Sequence, residues 1–237
     1  MKYIARVSDR YYVSDNQRFL YLKFELIAPN KLDFVAGQYV SLKINEKGER
    51  RSYSIASTPD ETHGFDLLVE IVPEGKGSAY LKTLATGAQV EVLGPLGRFV
   101  VNQESKKKKH LFVATGSGIV PIWSMINDLL INKKILEPVR LHWGMKNEED
   151  LFWLDRLEQL ASAHPNFVYD VVLSRASEAW SLCRGHVQDC LARDFPKREL
   201  AEWESYVCGS KEIVIDIGNY LETLGMQKEN IYHEKFT

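Results

Sequence analysis

The sequence has few cysteines and no long apolar run. Its 237 residues include three cysteines, Cys183, Cys190 and Cys208. This sparse, odd set without a CxxC pair indicates a reduced, cytoplasmic protein, and it excludes an iron–sulfur cluster held by four thiolates. No apolar run approaches the length of about 18 residues that a membrane helix needs, so we expect no membrane span. The first residues contain no long apolar segment, so we expect no secretory signal.

The chain also lacks a large excess of either charge and any cluster of metal-ligand residues. Its formal net charge is −2, so we expect no nucleic-acid partner. The six histidines are scattered: His63, His110, His142, His164, His186 and His233. None has neighbours at metal-ligand spacing, so we predict no metal site and no catalytic histidine. The composition of 45% hydrophobic and 26% charged residues predicts a packed protein. The chain is long enough for two modest domains.

The first half of the chain alternates apolar and polar residues with a period of two. Leu20–Leu26 and Val40–Asn45 both follow this pattern, and Gly37 and Gly48 mark turns beside them. Period two places one strand face in a core and the other in solvent. Short strands at regular spacing predict an antiparallel β-barrel or sandwich, with one short helix at Ser78–Thr86.

The second half alternates predicted strands with predicted helices. The strands are His110–Thr115, Val139–Trp143, Phe167–Ser174 and Tyr206–Cys208, and the helices are Pro121–Ile131, Trp153–Ala163, His186–Arg193 and Glu212–Leu224. This alternation predicts an α/β domain with a doubly wound parallel sheet. The polar stretch Asn102–Lys109 separates the halves, so we predict domains over residues 1–102 and 103–237.

Four short motifs carry the candidate chemistry. Arg50–Ser57 places a cation, an aromatic ring and hydroxyls on a predicted strand, and Gly75–Ser78 opens a predicted helix whose N-terminus favours an anion. Ala114–Pro121 links a strand to a helix, as a dinucleotide-binding loop does, and Tyr206–Ser210 ends a strand with a thiol and a glycine. Taken singly, these motifs also suit a surface strand, a helix cap at Ser78, a tight turn and a buried structural cysteine.

Taken together and in this order, the motifs resemble those of the ferredoxin–NADP reductase superfamily over nearly the whole chain. The pattern RxYS matches Arg51, Tyr53 and Ser54; GxxSxxL matches Gly75, Ser78 and Leu81; GPxGxF matches Gly94, Pro95, Gly97 and Phe99. The pattern GTGxxP corresponds to Gly116–Pro121 with Ser117 in place of Thr, and CGP to Cys208–Ser210 with Ser210 in place of Pro.

This resemblance implies FAD in the barrel and NADPH or NADH in the α/β domain. The implied flavin-binding residues are Arg51, Ser52, Tyr53, Ser54, Gly75, Lys76, Gly77 and Ser78. The implied nicotinamide-binding residues are Thr115, Gly116, Ser117, Gly118, Pro121, Cys208 and Gly209. The implied catalytic residues are Ser54 near flavin N5, Cys208 near the nicotinamide, and Glu234. The C-terminal segment resembles a Tyr-x-Glu-x-Phe strand of the family, in which Glu234 would tune the site and Phe236 would cover a ring; a plain edge strand is the alternative.

The resemblance also bears on the nucleotide and the acceptor. Ser174 and Arg175 follow the third predicted strand of the α/β domain, where NADPH-dependent relatives often carry a Ser and an Arg, so we expect a preference for NADPH. The implied function is an NAD(P)H oxidoreductase that passes electrons to a separate acceptor such as ferredoxin or flavodoxin. Trp143–Leu191 is similar to bacterial NAD(P)H–flavin reductases, so use of a diffusible flavin stays open, as does a non-catalytic electron-transfer subunit. Lys106–Lys109 is either a docking site for an acidic partner or a solvated linker.

Overall fold

The first sheet in the computed structural model, which describes residues 1–196 and 199–236, is antiparallel and has six strands. The strands are β1 (Lys2–Tyr12), β2 (Phe19–Ala28), β3 (Tyr39–Lys43), β4 (Arg50–Ser54), β5 (Gly64–Glu70) and β6 (Gln89–Leu96), with helix α1 (Lys76–Thr83) before β6. Their spatial order is β4-β3-β6-β1-β2-β5. An antiparallel bridge between Ile55 and Leu67 joins the two edges, so the sheet closes into the expected barrel.

The period-two pattern of β2 explains how this barrel forms a core. Leu20 and Leu22 are fully buried, whereas Lys23 and Glu25 are exposed. Alternate residues therefore face the barrel interior, as the sequence predicted. Tyr21 departs from the pattern because its outward ring packs edge-on against Trp153 of the second half, with centroids 6.0 Å apart.

The second sheet is parallel and also has six strands. The elements are β7 (Lys109–Thr115), α2 (Ile119–Asn127), β8 (Val139–Met145), α3 (Leu154–Ala163), β9 (Phe167–Leu173), β10 (Cys183–Arg184), α4 (Val187–Asp194), β11 (Trp203–Ser210), α5 (Lys211–Thr223) and β12 (Ile231–Phe236). The strand order is β10-β9-β8-β7-β11-β12. Buried residues of α2 and α3 pack on one face, and those of α4 and α5 pack on the other. The doubly wound α/β fold is thereby confirmed.

The strand order creates a crevice between β7 and β11. The chain passes from β7 to β8 on one side and later returns to place β11 on the other side. Cys208 on β11 lies opposite Ala114 on β7, one residue before Thr115 ends that strand. Ligands of such sheets bind at the carboxyl ends of the strands where the order reverses. The Ala114–Pro121 and Tyr206–Ser210 motifs both lie at this point.

Two lysines of the run Lys106–Lys109 contact residues of the second half. The ammonium group of Lys107 donates to the Ala201 carbonyl at 2.5 Å, and that of Lys109 pairs with the Glu202 carboxylate at 2.6 Å. Both partners lie in or beside the short 3₁₀ turn Glu199–Glu202. The domain division at residues 102 and 103 stays a prediction.

The cysteine expectation is wrong for one pair. Cys183 and Cys190 form a disulfide, because β10 and the first turns of α4 bring them together across seven positions of sequence. Cys208 is a free, buried thiol. In the described part of the chain, no helix is long and apolar enough to cross a membrane.

Candidate functional site

Strand β4 and helix α1 bring the first two motifs into contact. A Cβ atom added to Gly77 would lie 2.3 Å from the Tyr53 hydroxyl and 3.1 Å from Cγ of Arg51. Glycine therefore allows the first turn of α1 to approach these two side chains without displacing the Tyr53 ring. Burial raises the pKa of Tyr53 to about 12, so its ring is an uncharged surface at neutral pH.

The start of α1 is open to an anion. The N-cap is Gly75 in an extended conformation, without a side-chain cap, so Ser78 is not the cap residue. The Ser78 hydroxyl lies inside the helix and accepts a hydrogen bond from the Val72 amide at 3.0 Å. First-turn amides of a helix have no partner within the helix. Arg51 is exposed beside this turn and forms no ion pair with any described residue, whereas the neighbouring Lys76 pairs with Glu49 at 2.8 Å.

A cavity of about 680 Å³ runs from β4 to the second sheet. It is lined by Tyr39, Arg50, Arg51, Ser52, Tyr53, Ser54, Leu68, Val69, Glu70, Val72, Ser117, Val120, Glu234, Lys235 and Phe236. Both faces of β4 reach this cavity because β4 is the edge strand of the barrel sheet. The volume lies within the usual range of small-molecule sites.

The most perturbed carboxylate of the cavity is Glu234 on β12. Burial raises its pKa to about 7, and the nearby Ser54 hydroxyl opposes that effect. Its Oε2 atom is buried and has no hydrogen-bond partner among the described residues. Glu234 pairs in register with Cys208, whose pKa is raised by burial and by the Glu234 charge. Ser54, Cys208 and Glu234, the three predicted catalytic residues, therefore lie together.

The loop Gly116–Gly118 is packed tightly against β11. A Cβ atom on Gly118 would lie 2.2 Å from the Cys208 carbonyl oxygen, and one on Gly209 would lie 2.2 Å from Oγ1 of Thr115. The Trp143 indole donates to the Gly116 carbonyl at 3.0 Å. These contacts fix the loop at the carboxyl edge of the sheet, where Gly116 and Ser117 are half-buried and Gly118 is buried against β11. Pro121 follows in the first turn of α2, where no amide is needed.

Ser174 and Arg175 lie at the same edge, farther along the sheet. Both side chains are exposed, and their amides donate to the carbonyls of Met145 and Lys146. Since β9 is two strands from β7, they lie on the order of 10 Å to the side of the Thr115 loop. The separation suits the far end of a dinucleotide that begins at this loop.

The sequence interpretation missed a polar network beside the cavity. Arg18 donates to Oε1 of Glu70 from Nε at 2.9 Å and contacts Oδ1 of Asp150 at 3.1 Å. Asp150 also accepts from Asn16 at 2.8 Å and Asn147 at 3.0 Å. The one available signal was Glu70, a charged residue that ends an apolar strand just before the Gly75–Ser78 motif.

Among the described residues, the structure also brings together one group of metal-ligand residue types that the spacing did not reveal. His142, Asp170 and Asp194 come from β8, β9 and α4, and their ligand atoms lie within 4.8 Å of one another. Arg193 contacts Asp170 at 2.8 Å and Asp194 at 2.7 Å, and Arg140 contacts Asp194 at 3.1 Å. The guanidinium groups neutralise both carboxylates, so we interpret the group as an ion-pair network. Burial lowers the pKa of His142 to about 4.

The cavity and its surroundings fit a flavin dinucleotide. Arg51 and the open first turn of α1 supply donors for phosphates, and Gly77 allows this turn to lie against Tyr53 and Arg51. The unpartnered Oε2 of Glu234 and the Ser54 hydroxyl supply hydrogen-bonding groups at the opposite end of the cavity.

Comparison with known proteins defines the class. Residues 5–101 match the family described as the oxidoreductase FAD-binding domain, and residues 112–218 match the oxidoreductase NAD-binding domain. The chain is 34% identical over 224 residues to ferredoxin–NADP reductase B of Sorangium cellulosum, covering 91% of this chain and 90% of that protein. The chain belongs to the ferredoxin–NADP reductase superfamily.

Two further relatives support the same class. The toluate 1,2-dioxygenase electron transfer component of Pseudomonas putida is 30% identical over 241 residues, covering 99% of this chain and 67% of that protein. The solved structure of the Amycolatopsis cytochrome P450 reductase GcoB superposes with a TM-score of 0.91 at 28% identity, over 100% of this chain and 70% of that one. The protein is an FAD-dependent NAD(P)H oxidoreductase that passes electrons to a separate acceptor, which confirms the predicted function, enzyme class and cofactors.

Proposed function

We propose that the protein oxidises NADPH at the carboxyl edge of the second sheet and supplies a ferredoxin or flavodoxin through FAD held by the barrel. The observation that carries this proposal is the shared cavity, in which Ser54 of the barrel and Glu234 of the second sheet line one space. FAD held there would supply hydride acceptance from the nicotinamide and release of single electrons, while the protein supplies position and electrostatics.

On the barrel side, we assign the phosphates of FAD to Arg51 and the first turn of α1. Arg51 has no carboxylate partner among the described residues, so its guanidinium is available to an anion. Ser52, Lys76 and Ser78 lie within or beside this surface, and the Tyr53 ring and the Ser54 hydroxyl continue it towards Glu234. We assign Ser54 to flavin N5 and Phe236 to one face of the ring.

On the second sheet, we assign the nicotinamide nucleotide to Thr115, the Gly116–Gly118 loop, Cys208 and Gly209. Cys208 is a neutral thiol at physiological pH because burial raises its pKa, so we assign it a packing role beside the nicotinamide and no nucleophilic role. The exposed Arg175, with Ser174, is placed for a 2′-phosphate, which supports a preference for NADPH. The pool of reduced nicotinamide is intracellular, and we therefore propose a cytoplasmic location, which cell fractionation would check.

The first test concerns the flavin. The variant R51Q is expected to lose most of its bound FAD, whereas R6Q is the matched control because Arg6 is a barrel arginine paired with Glu25 at 2.7 Å. Charge-assisted hydrogen bonds contribute about 1.5–3 kcal/mol, so FAD affinity should fall roughly 10- to 100-fold in R51Q. Equal FAD content in both variants would contradict the assignment of Arg51.

The second test concerns the acceptor. NADPH-dependent cytochrome c reduction is measured with no carrier, with a ferredoxin, with a flavodoxin and with free flavin. The proposal predicts strong stimulation by at least one protein carrier. Stimulation by free flavin alone, in a preparation that retains no FAD, would instead establish the diffusible-flavin alternative.

A further inference from the structure

Glu70 lies where the barrel meets the Gly116–Gly118 loop. It is the last residue of β5 and lines the cavity, and its side chain is 23% exposed. Its Oε1 atom accepts two hydrogen bonds from Arg18, at 2.9 and 2.5 Å. Its Oε2 atom accepts a hydrogen bond from the Ser117 hydroxyl at 3.3 Å. One carboxylate thus connects the barrel to the nucleotide loop.

Arg18 connects the same carboxylate to a second point of the α/β domain. The Nη1 atom of Arg18 lies 3.1 Å from Oδ1 of Asp150, whose side chain is 2% exposed. Burial alone would raise the pKa of Asp150, but hydrogen bonds from Asn16 and Asn147 and the Arg18 charge outweigh it and lower that pKa. Asp150 therefore stays ionised at neutral pH, and Arg18 is held between two carboxylates.

Apolar packing makes up part of the rest of the junction between the halves, and hydrogen bonds from Ser124 to the Ser57 carbonyl at 2.6 Å and from Asn132 to Asp60 at 3.1 Å also cross it. Phe19 and Leu68 of the barrel belong to the same hydrophobic cluster as Phe152 and Trp153 of the second half. Apolar contact has no directional preference, so it allows small sliding motions of one half against the other. Charge-assisted hydrogen bonds are directional, so they favour one position of one half relative to the other. Two polar contacts cross the junction next to the cavity, Arg18 to Asp150 at 3.1 Å and Ser117 to Glu70 at 3.3 Å, and the Arg18–Glu70 pair links them within the barrel.

Ser117 has the only side chain in the Gly116–Gly118 loop, and that side chain contacts Glu70. The backbone of the loop is already fixed on its other side by Trp143 and Cys208. We propose that Glu70 is a positioning residue that, through Ser117 and Arg18, sets the nicotinamide loop relative to the flavin cavity. This inference rests on the proposed assignment of the loop to the nicotinamide nucleotide.

The test compares E70Q with E25Q in the FAD-loaded enzyme. Glutamine keeps the size of the side chain but loses the charge that holds Arg18, and E25Q removes the barrel pair Arg6–Glu25, whose side chains are 51% and 56% exposed. With ferricyanide as acceptor, E70Q should raise the KM for NADPH roughly five- to tenfold, with kcat within about twofold. FAD content, Tm and the rate of flavin photoreduction should match those of E25Q.

Variants of Ser117 make the test specific. S117A removes the hydroxyl and should raise the KM for NADPH, and S117T, which keeps the hydroxyl, should raise it less than S117A does. The double variant E70Q/S117A should raise the KM no further than E70Q alone. The inference would be overturned by an unchanged KM for NADPH in E70Q, or by effects of E70Q and S117A on KM that multiply in the double variant. It would also be overturned if E70Q lowered FAD content and Tm together. Wild-type reduction by NADPH is measured first, since its failure would overturn the proposed nucleotide site itself.

Discussion

Glu234 is the residue whose chemistry the cavity changes most. Burial raises the pKa of its carboxyl group to about 7, close to physiological pH, and its buried Oε2 atom has no partner among the described residues. A group with this pKa changes charge within the working range of the enzyme. The ionised carboxylate favours the positive charge that a nicotinamide gains when it loses a hydride.

The pH profile of kcat/KM should therefore report Glu234. Because the ionised form is the favourable one, kcat/KM for NADPH should rise about tenfold as pH increases through about 7. The variant E234Q should show no such rise. H233Q is the matched control, since His233 is the exposed neighbour on the same strand and should leave the step intact. Persistence of the step in E234Q would assign the ionisation to another group.

Arg175 carries the prediction about nucleotide choice. Its exposed guanidinium lies at the carboxyl edge of the sheet, so R175Q should lose affinity for a 2′-phosphate. We expect kcat/KM for NADPH to fall roughly 10- to 100-fold, with little change for NADH. The control K108Q removes an exposed cation just before β7, at the opposite edge. Equal losses with both nucleotides would contradict the role of Arg175.

Sequence patterns predicted some residues of the site and missed others for physical reasons. Arg51 and Ser54 belong to a short motif whose residue types fit a flavin, and the structure places both at the cavity. Arg18 and Asp150 are 132 positions apart, and charged residues are common at strand ends, so no local pattern joins them. Glu70 was overlooked because its function depends on a contact between domains.

At the scale of elements, the close approach of β11 to the Gly116–Gly118 loop is the most constrained feature. A Cβ atom on Gly118 would lie 2.2 Å from a backbone oxygen of Cys208, which cannot move as a flexible side chain does. The loop itself must therefore shift. Such a displacement is expected to alter the proposed nicotinamide site, whereas the proposed FAD-binding residues of β4 and α1 lie outside this loop.

The variant G118A should accordingly lose NADPH affinity and keep its FAD. A fall in nucleotide affinity of at least about tenfold is expected, since misplaced binding groups lose most of their contacts. G218A is the control, because a Cβ atom at Gly218 in α5 meets nothing within 4 Å and alanine favours a helix. Dissociation constants for NADP⁺ and the flavin content measure both effects. Equal affinity in G118A and G218A would contradict the packing argument.

Strands and helices with a clear hydrophobic period could be predicted from the sequence. The residues at which they begin and end were predicted less accurately. The alternation in β2 and the strand–helix pattern of the second half gave the correct fold class. The helix predicted at Ser78–Thr86 instead spans Lys76–Thr83. It begins earlier because Gly75 forms the cap, and it ends where Leu84 becomes extended.

For the whole molecule, the central feature is that two independently recognisable sheets share one cavity. The order of strands could not be derived from the sequence, because parallel pairing joins segments that are far apart. The C-terminal strand shows this best: β12 is an edge strand beside β11, and it also brings Glu234 to the cavity. The segment is therefore both an edge strand and a contributor to the cavity, so the two interpretations of the C-terminal strand are compatible.

The lysine run also belongs to this scale. Because Lys107 and Lys109 contact Ala201 and Glu202, the run is in part a structural linker. We expect the exposed Lys106 and Lys108 to affect carrier-dependent turnover little. The variant K106Q/K108Q should retain the wild-type dependence of that rate on ionic strength. A flattened dependence would instead favour docking at this run.

The central claim is that bound FAD in the barrel is reduced by NADPH held at the second sheet. The absorbance spectrum of the purified protein, recorded before and after anaerobic addition of NADPH, tests both parts in one sample. The account predicts an oxidised flavin spectrum, present on purification or after addition of FAD, that bleaches when NADPH is added. A colourless protein that takes up no FAD, or a bound flavin that neither NADPH nor NADH reduces, would contradict it.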